Sequence, residues 1–249
     1  MLASICSIWN CVSVRCGSGA LALAIAAICP TEAAAQTFPA DGTWVPVTVG
    51  NVVIKDVNDD CIPSSCEIAG ASPIDQPSVL VASDASFLYF RLRLYASPTA
   101  NDVNFACEID VDQNVSNSYE YYVGYFVAGD DSTKVQTWFN TTKNMVAGGD
   151  PLDVAETFIA GHDATFTTLA YATIGATTNA WRSWAIPWAD LQQPGFEVTQ
   201  ATRLSILCGT RKTGTVNLDA SIFNRADLAG DGTFSDPIHP DDVFKSGFE

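Results

Sequence analysis

The sequence predicts an all-β fold of antiparallel strands, and three observations carry that prediction. Apolar residues recur at every second position in short runs. Clusters of Gly, Pro, Asn, Asp and Ser separate those runs at short spacing, and no stretch of ordinary helix length shows a helical apolar period. The 249 residues are 47% hydrophobic, enough for one large core. The formal net charge of −16 opposes binding to nucleic acid or to an anionic membrane surface, so neither is expected as a partner.

Residues 1–35 have the three parts of a secretory signal: Arg15, the apolar run Leu21 to Ile28, and Ala33-Ala34-Ala35 before Gln36. Cleavage is expected after Ala35, placing the chain outside the cytoplasm, in the periplasm or the extracellular space. Cys29 follows the apolar run as a lipidated cysteine would, but Ile28 is bulky where such a signal has a small residue. No later stretch approaches the ~20 apolar residues of a membrane span. Removing Arg15 and Glu32 with the leader leaves the net charge unchanged.

Four cysteines remain, and an even number in an exported chain favours disulfides. Cys61 and Cys66 enclose Ile-Pro-Ser-Ser, a turn-forming loop, and are expected to pair locally. Cys107 and Cys208 both sit in apolar strands and are expected to pair across the core. No Cys-x-x-Cys spacing or nearby histidine supports zinc.

In chain order, Thr43 to Val49 and Asn51 to Lys55 read as a hairpin or two short strands around Gly50, and Asp56 to Pro77 as a turn-rich surface excursion. Ser78 to Ser83 and Phe87 to Tyr95 read as strands, the second with Leu88, Phe90, Leu92 and Leu94 on one side and Phe87, Tyr89, Arg91 and Arg93 on the other. Asn104 to Ala128 reads as two strands around an acidic loop. In it Phe105, Cys107, Ile109 and Val111 alternate with Ala106, Glu108, Asp110 and Asp112, the pattern of a strand with one buried face. Strands follow at Lys134 to Asn140, Val154 to Ala160, Thr165 to Ile174 and Ala180 to Trp188. Pro187 ends the ladder because proline cannot donate to it, and Trp188 to Leu191 reads as one helical turn. Ala201 to Thr210 and Thr215 to Ile222 complete residues 36–223 as an antiparallel two-sheet β-sandwich of jelly-roll or immunoglobulin-like type. Residues 224–249, rich in Asp, Gly and Pro, read as an irregular tail.

The ordered set I-K-D-V-N-D-D, S-V-L-V-A-S-D-A-S-F-L-Y-F-R-L-R-L, E-I-D-V-D-Q-N-V-S-N-S-Y-E-Y-Y-V-G-Y and W-A-I-P-W-A-D-L resembles the sandwich superfamily of DOMON domains and family 9 carbohydrate-binding modules. The resemblance spans roughly Thr43 to Ile222. It implies a non-catalytic binding role, with sugar the commonest ligand and calcium a frequent structural ion. Alternation puts Trp184 and Trp188 on one strand face and Trp181 on the other, unlike the paired tryptophans that hold a sugar in such modules. Haem-binding members need axial ligands, whereas Met145 and His162 lie in or near loops. The ending V-F-K-S-G-F-E resembles a short tail of exported Gram-negative proteins and would act as a sorting tag.

Two sites follow from the residues. Asp110, Asp112 and Asn114 place oxygen donors at alternate positions of a tight loop, with Glu120 reaching back across the hairpin, a set suited to calcium. It is not an EF-hand, because Val115 and Tyr121 stand where Gly and Glu are required. Acids and amides also favour solvated turns without any ion. Asp227, Asp231 and Asp236 form a sparser second set. The face of Tyr89, Arg91 and Arg93, beside Glu108 and Tyr122 of a neighbouring strand, would offer rings and charged partners to a glycan; ordinary cross-strand pairing accounts for the same residues.

Catalysis has no support from a nucleophile elbow, a zinc-protease helix motif or a phosphate loop. The function expected is therefore a secreted, non-catalytic carbohydrate-binding module with a structural calcium. A cell-surface protein-interaction domain is the alternative, and a carboxylate-dependent glycoside hydrolase the third reading.

Overall fold

A computed structural model describes residues 36–56, 67–69, 76–94, 103–114, 118–127, 132–141, 143, 156–174, 177–212, 227–228 and 233–241. All fall in the second of the two units into which the chain divides, Ala35–Glu249. The expected leader and its cleavage point, the Cys61–Cys66 loop and the strand expected at Thr215 to Ile222 lie outside the described residues.

The fold is all-β. Its strands are β1 (Val45–Pro46), β2 (Thr48–Val49), β3 (Val52–Val53), β4 (Val79–Ser83), β5 (Phe87–Leu94), β6 (Val103–Asp110), β7 (Tyr121–Tyr125), β8 (Val135–Phe139), β9 (Thr157–His162), β10 (Thr167–Ile174), β11 (Thr177–Pro187), β12 (Ser205–Lys212) and β13 (Asp227–Leu228). They form a five-stranded sheet in the order β1-β4-β5-β11-β10, a six-stranded sheet in the order β13-β12-β6-β7-β8-β9, and the small β2-β3 hairpin. Every pairing is antiparallel. The hairpin turns through Gly50 and Asn51, both at positive φ (59° and 62°), a twist that suits a two-residue connection. After Pro187, a 3-10 turn at Trp188–Asp190 ends the long strand, as the sequence predicts.

The two large sheets pack face to face in a sandwich-like arrangement. Leu88, Phe90, Leu92, Trp184 and Ile186 from the first meet Phe105, Cys107, Ile109, Tyr121 and Val123 from the second in one apolar cluster. Phe90 and Trp184 are register partners with stacked rings 5.7 Å apart. Burying that much aromatic and branched surface is the main stabilising term of the fold.

Four expectations change. Cys107 and Cys208 are bonded, but as register partners on β6 and β12 of the same sheet, so the disulfide does not cross the core. All eight residues of β6 are buried, not one face of it. The reason is a second apolar cluster of Ala106, Tyr119, Tyr122, Phe126 and Leu207 on the outer side of the sheet, packed against Trp138 and Phe234. Phe234 belongs to the predicted tail, and the described part of that tail is built into the fold: Ile238 bridges Leu204, and the Asp236 carboxylate accepts from Gly50 N, Asn51 N and the Thr48 hydroxyl at 2.7–2.8 Å. Finally, β9 starts at Thr157, later than expected, and β11 starts at Thr177 because Thr177 still pairs with Ile174.

Candidate functional site

The acidic loop between β6 and β7 brings three of its four predicted ligands together. Asp110, Asp112 and Glu120 each turn a carboxylate oxygen to within 4.8 Å of the others, close enough for one cation to be shared. Asp110 ends β6, Asp112 follows on the exposed loop, and Glu120 directly precedes β7, so the hairpin itself closes the set. Asn114 contributes its backbone N–H, which donates to Asp112 Oδ1 at 2.8 Å. The loop is held by Gln113 at positive φ (61°), whose N–H donates to Asp110 Oδ1 and whose amide donates to the Arg203 carbonyl. Glu120 Oε2 accepts from Val111 N at 2.6 Å, and Glu120 Oε1 pairs with the Lys143 ammonium.

Asp110 is fully buried, and its Oδ2 has no hydrogen-bond partner among the described residues. Burial, then the charges of Glu120 and Asp112, push its carboxyl up to about 6 against the partial relief of two backbone N–H bonds. A carboxylate so placed is short of positive charge.

Of the second predicted acidic set, Asp236 caps the β2-β3 turn; Asp231 lies outside the described residues, as does Met145. His162 ends β9, its Nε2 is 2.6 Å from Asp190 Oδ2, and its ring stacks on Phe166. That pair ties an edge strand of the second sheet to the turn after β11.

The predicted glycan face does not assemble. Tyr89, Arg91 and Arg93 lie on the outer side of β5 in the first sheet, whereas Glu108 and Tyr122 are register partners in the second. All five are buried. The segment preceding β1 covers Tyr89 and Arg91. The Tyr89 hydroxyl donates to Asp84 Oδ2 at 2.6 Å, so that burial and then Asp84 raise its phenol pKa. The Arg91 guanidinium lies 4.0 Å from the Trp44 ring centroid and donates to Ser183 Oγ and Asp41 Oδ1. Arg93 lies 6.0 Å from the Trp181 ring, and burial lowers the pKa of both arginines. Charge suggested exposure in the sequence, but here aromatic cover replaces water.

A different ring pair does reach solvent. Trp138 of β8 and Phe158 of the edge strand β9 are register partners, edge to face with centroids 5.0 Å apart. Phe158 is 45% exposed, and the Trp138 indole donates to Gln136 Oε1 at 3.0 Å. Sequence reasoning passed over these residues, although alternation in Lys134 to Asn140 puts Gln136 and Trp138 on one face.

No family model and no curated protein matches the chain. Among solved structures it is similar to a carbohydrate binding module family 9 (CBM9) from Caldicellulosiruptor kristjanssonii in complex with glucose. That match has 15% identity and a TM-score of 0.25, and it covers 79% of this chain and 99% of that one. A second match is the complex of such a module, from the same organism, with cellotriose, at 14% identity, TM-score 0.24, and 75% and 93% coverage. At such scores the likeness carries no argument.

Proposed function

We propose that the protein is an exported, non-catalytic binding module that takes carbohydrate on the outer face of its six-stranded sheet and holds calcium in the β6–β7 loop. The observation that carries the sugar reading is Phe158, an open ring braced by Trp138 beside the Gln136 amide. Sugars stack their C–H faces on such rings. Calcium is supported by Asp110, whose buried Oδ2 has no hydrogen-bond partner among the described residues and whose carboxylate lies within 4.8 Å of those of Asp112 and Glu120. It would supply the missing positive charge, with Lys143 released from Glu120 as coordination completes. Export is supported by the form of residues 1–35 and by the Cys107–Cys208 bond, since disulfides persist in oxidising compartments.

The test is a neutral-glycan panel read with the wild-type chain and with Phe158→Ala, in calcium and in chelator. Binding to at least one glycan, weakened about tenfold or more by Phe158→Ala, is expected. No glycan binding together with a calcium-independent melting temperature would sink the reading and favour a protein-interaction domain.

A further inference from the structure

We infer that Arg182 forms an anion site at the open edge between the two sheets, built for a carboxylate carried on a ring. On β11, Arg182 shares the inward face with Trp184, and its register partners are Leu169 and Leu92. Its guanidinium therefore enters the space between the sheets and meets rings of the other layer, with its carbon 4.4 Å from the Tyr125 centroid and 5.5 Å from that of Phe105. Nε is buried and has no hydrogen-bond partner, and no carboxylate pairs with the guanidinium among the described residues. This is notable in a chain with 28 acids and 12 basic residues. Arg91, by contrast, has both Asp41 and Ser183.

Burial lowers the Arg182 pKa, and the neighbouring phenols of Tyr125 and Tyr171 offset this only in part. Rings stabilise a guanidinium face but leave its in-plane N–H groups unanswered. A carboxylate answers them in plane, with two parallel N–H···O bonds, while Tyr125 keeps the face. Tyr171, two residues beyond Leu169 on the edge strand β10 and 56% exposed, adds a second ring at the mouth. An anion with a flat or chair-like ring would place its carboxylate on Arg182 and its ring against Tyr171. Acidic sugars and aromatic acids share that chemistry.

The site is separate from the Trp138–Phe158 face and stands whether or not neutral glycans bind there. The experiment is titration of the wild-type chain, Arg182→Met, Arg182→Lys and Tyr171→Ala with sodium glucuronate, benzoate, acetate and glucose, read by calorimetry and amide chemical shifts. Glucuronate, benzoate or both should bind the wild type more tightly than acetate, and glucose should leave this edge unshifted. Which ring acid binds decides between the two sources. Binding should fall about tenfold or more in Arg182→Met and less in Arg182→Lys, which keeps the charge but loses the fork. It should fall several-fold in Tyr171→Ala, whose exposed side chain can be removed without opening the core, and stay unchanged in Phe158→Ala. Arg182→Met should melt no lower than wild type, because it removes a buried cation without a counter-ion. The inference is overturned if neither ring acid binds, or if binding survives both Arg182→Met and Tyr171→Ala.

Discussion

Cys107 and Cys208 face each other across the β6–β12 ladder with Cα atoms 4.0 Å apart, joining strands 101 residues distant in sequence within one sheet. The bond closes a long loop in the unfolded chain and leaves the folded sheet as the ladder already holds it. Replacing both cysteines by Ala should therefore cost about 3–5 kcal/mol with little change in native near-UV circular dichroism. A calorimetric loss below about 1 kcal/mol would show that the cross-link does not constrain the unfolded state in this way.

Asp110 should make the protein less stable as pH rises when no cation is bound beside it. Its folded-state pKa of about 6 lies above the ordinary 3.8, so the neutral acid favours folding and that contribution is lost as pH climbs from about 4 to about 6. Calcium should reverse the trend by stabilising the ionised form. Melting temperatures in chelator should fall across that window for wild type and stay flatter for Asp110→Asn, with calcium raising the wild-type value only. Identical profiles with and without calcium would remove the ion from the account.

Arg91 pins the segment before β1 to the first sheet, because Trp44 stacks on its face and Asp41 takes an N–H. Arg91→Ala should cost about 2 kcal/mol and speed proteolysis within residues 36–44. Asp41→Asn should cost less than about 1 kcal/mol, since the Asp41 side chain is 94% exposed and its pairing is screened. Equal losses from the two variants would place the energy in the ion pair and not in the stacking.

Gly124 lies opposite Ala106, and a Cβ there would overlap the Phe105 carbonyl and the Ala106 side chain. Gly124→Ala should push β6 and β7 apart and cost about 3 kcal/mol in denaturant unfolding. Because the acidic loop joins these two strands, any calcium-dependent gain in melting temperature should shrink in the same variant.

The readable features were local ones. Leu88, Phe90, Leu92 and Leu94 do line the core, the β6–β7 hairpin brings the three acids of the predicted set, Asp110, Asp112 and Glu120, together, and Trp188–Asp190 makes the turn expected after Pro187. Each depends on spacing within a strand or across one loop. The burial of Tyr89 and Arg91 is not legible in the sequence because their cover comes from residues 36–44, about 50 positions away. Glu108 and Tyr122 did pair with each other, but in the other sheet.

Local pattern alone is enough to read this chain as all-β, to place most of its strands, to pick out the core face of β5, and to bring Asp110, Asp112 and Glu120 to the β6–β7 loop. It took long-range contacts to place β5 and β6 in different sheets, to set the Cys107–Cys208 bond within one of them, to leave Phe158 open, and to leave Arg182 without an acid partner among the described residues. The period of two belongs to each strand's own backbone and is written locally, whereas sheet membership and cover depend on contacts between distant segments that no local pattern encodes.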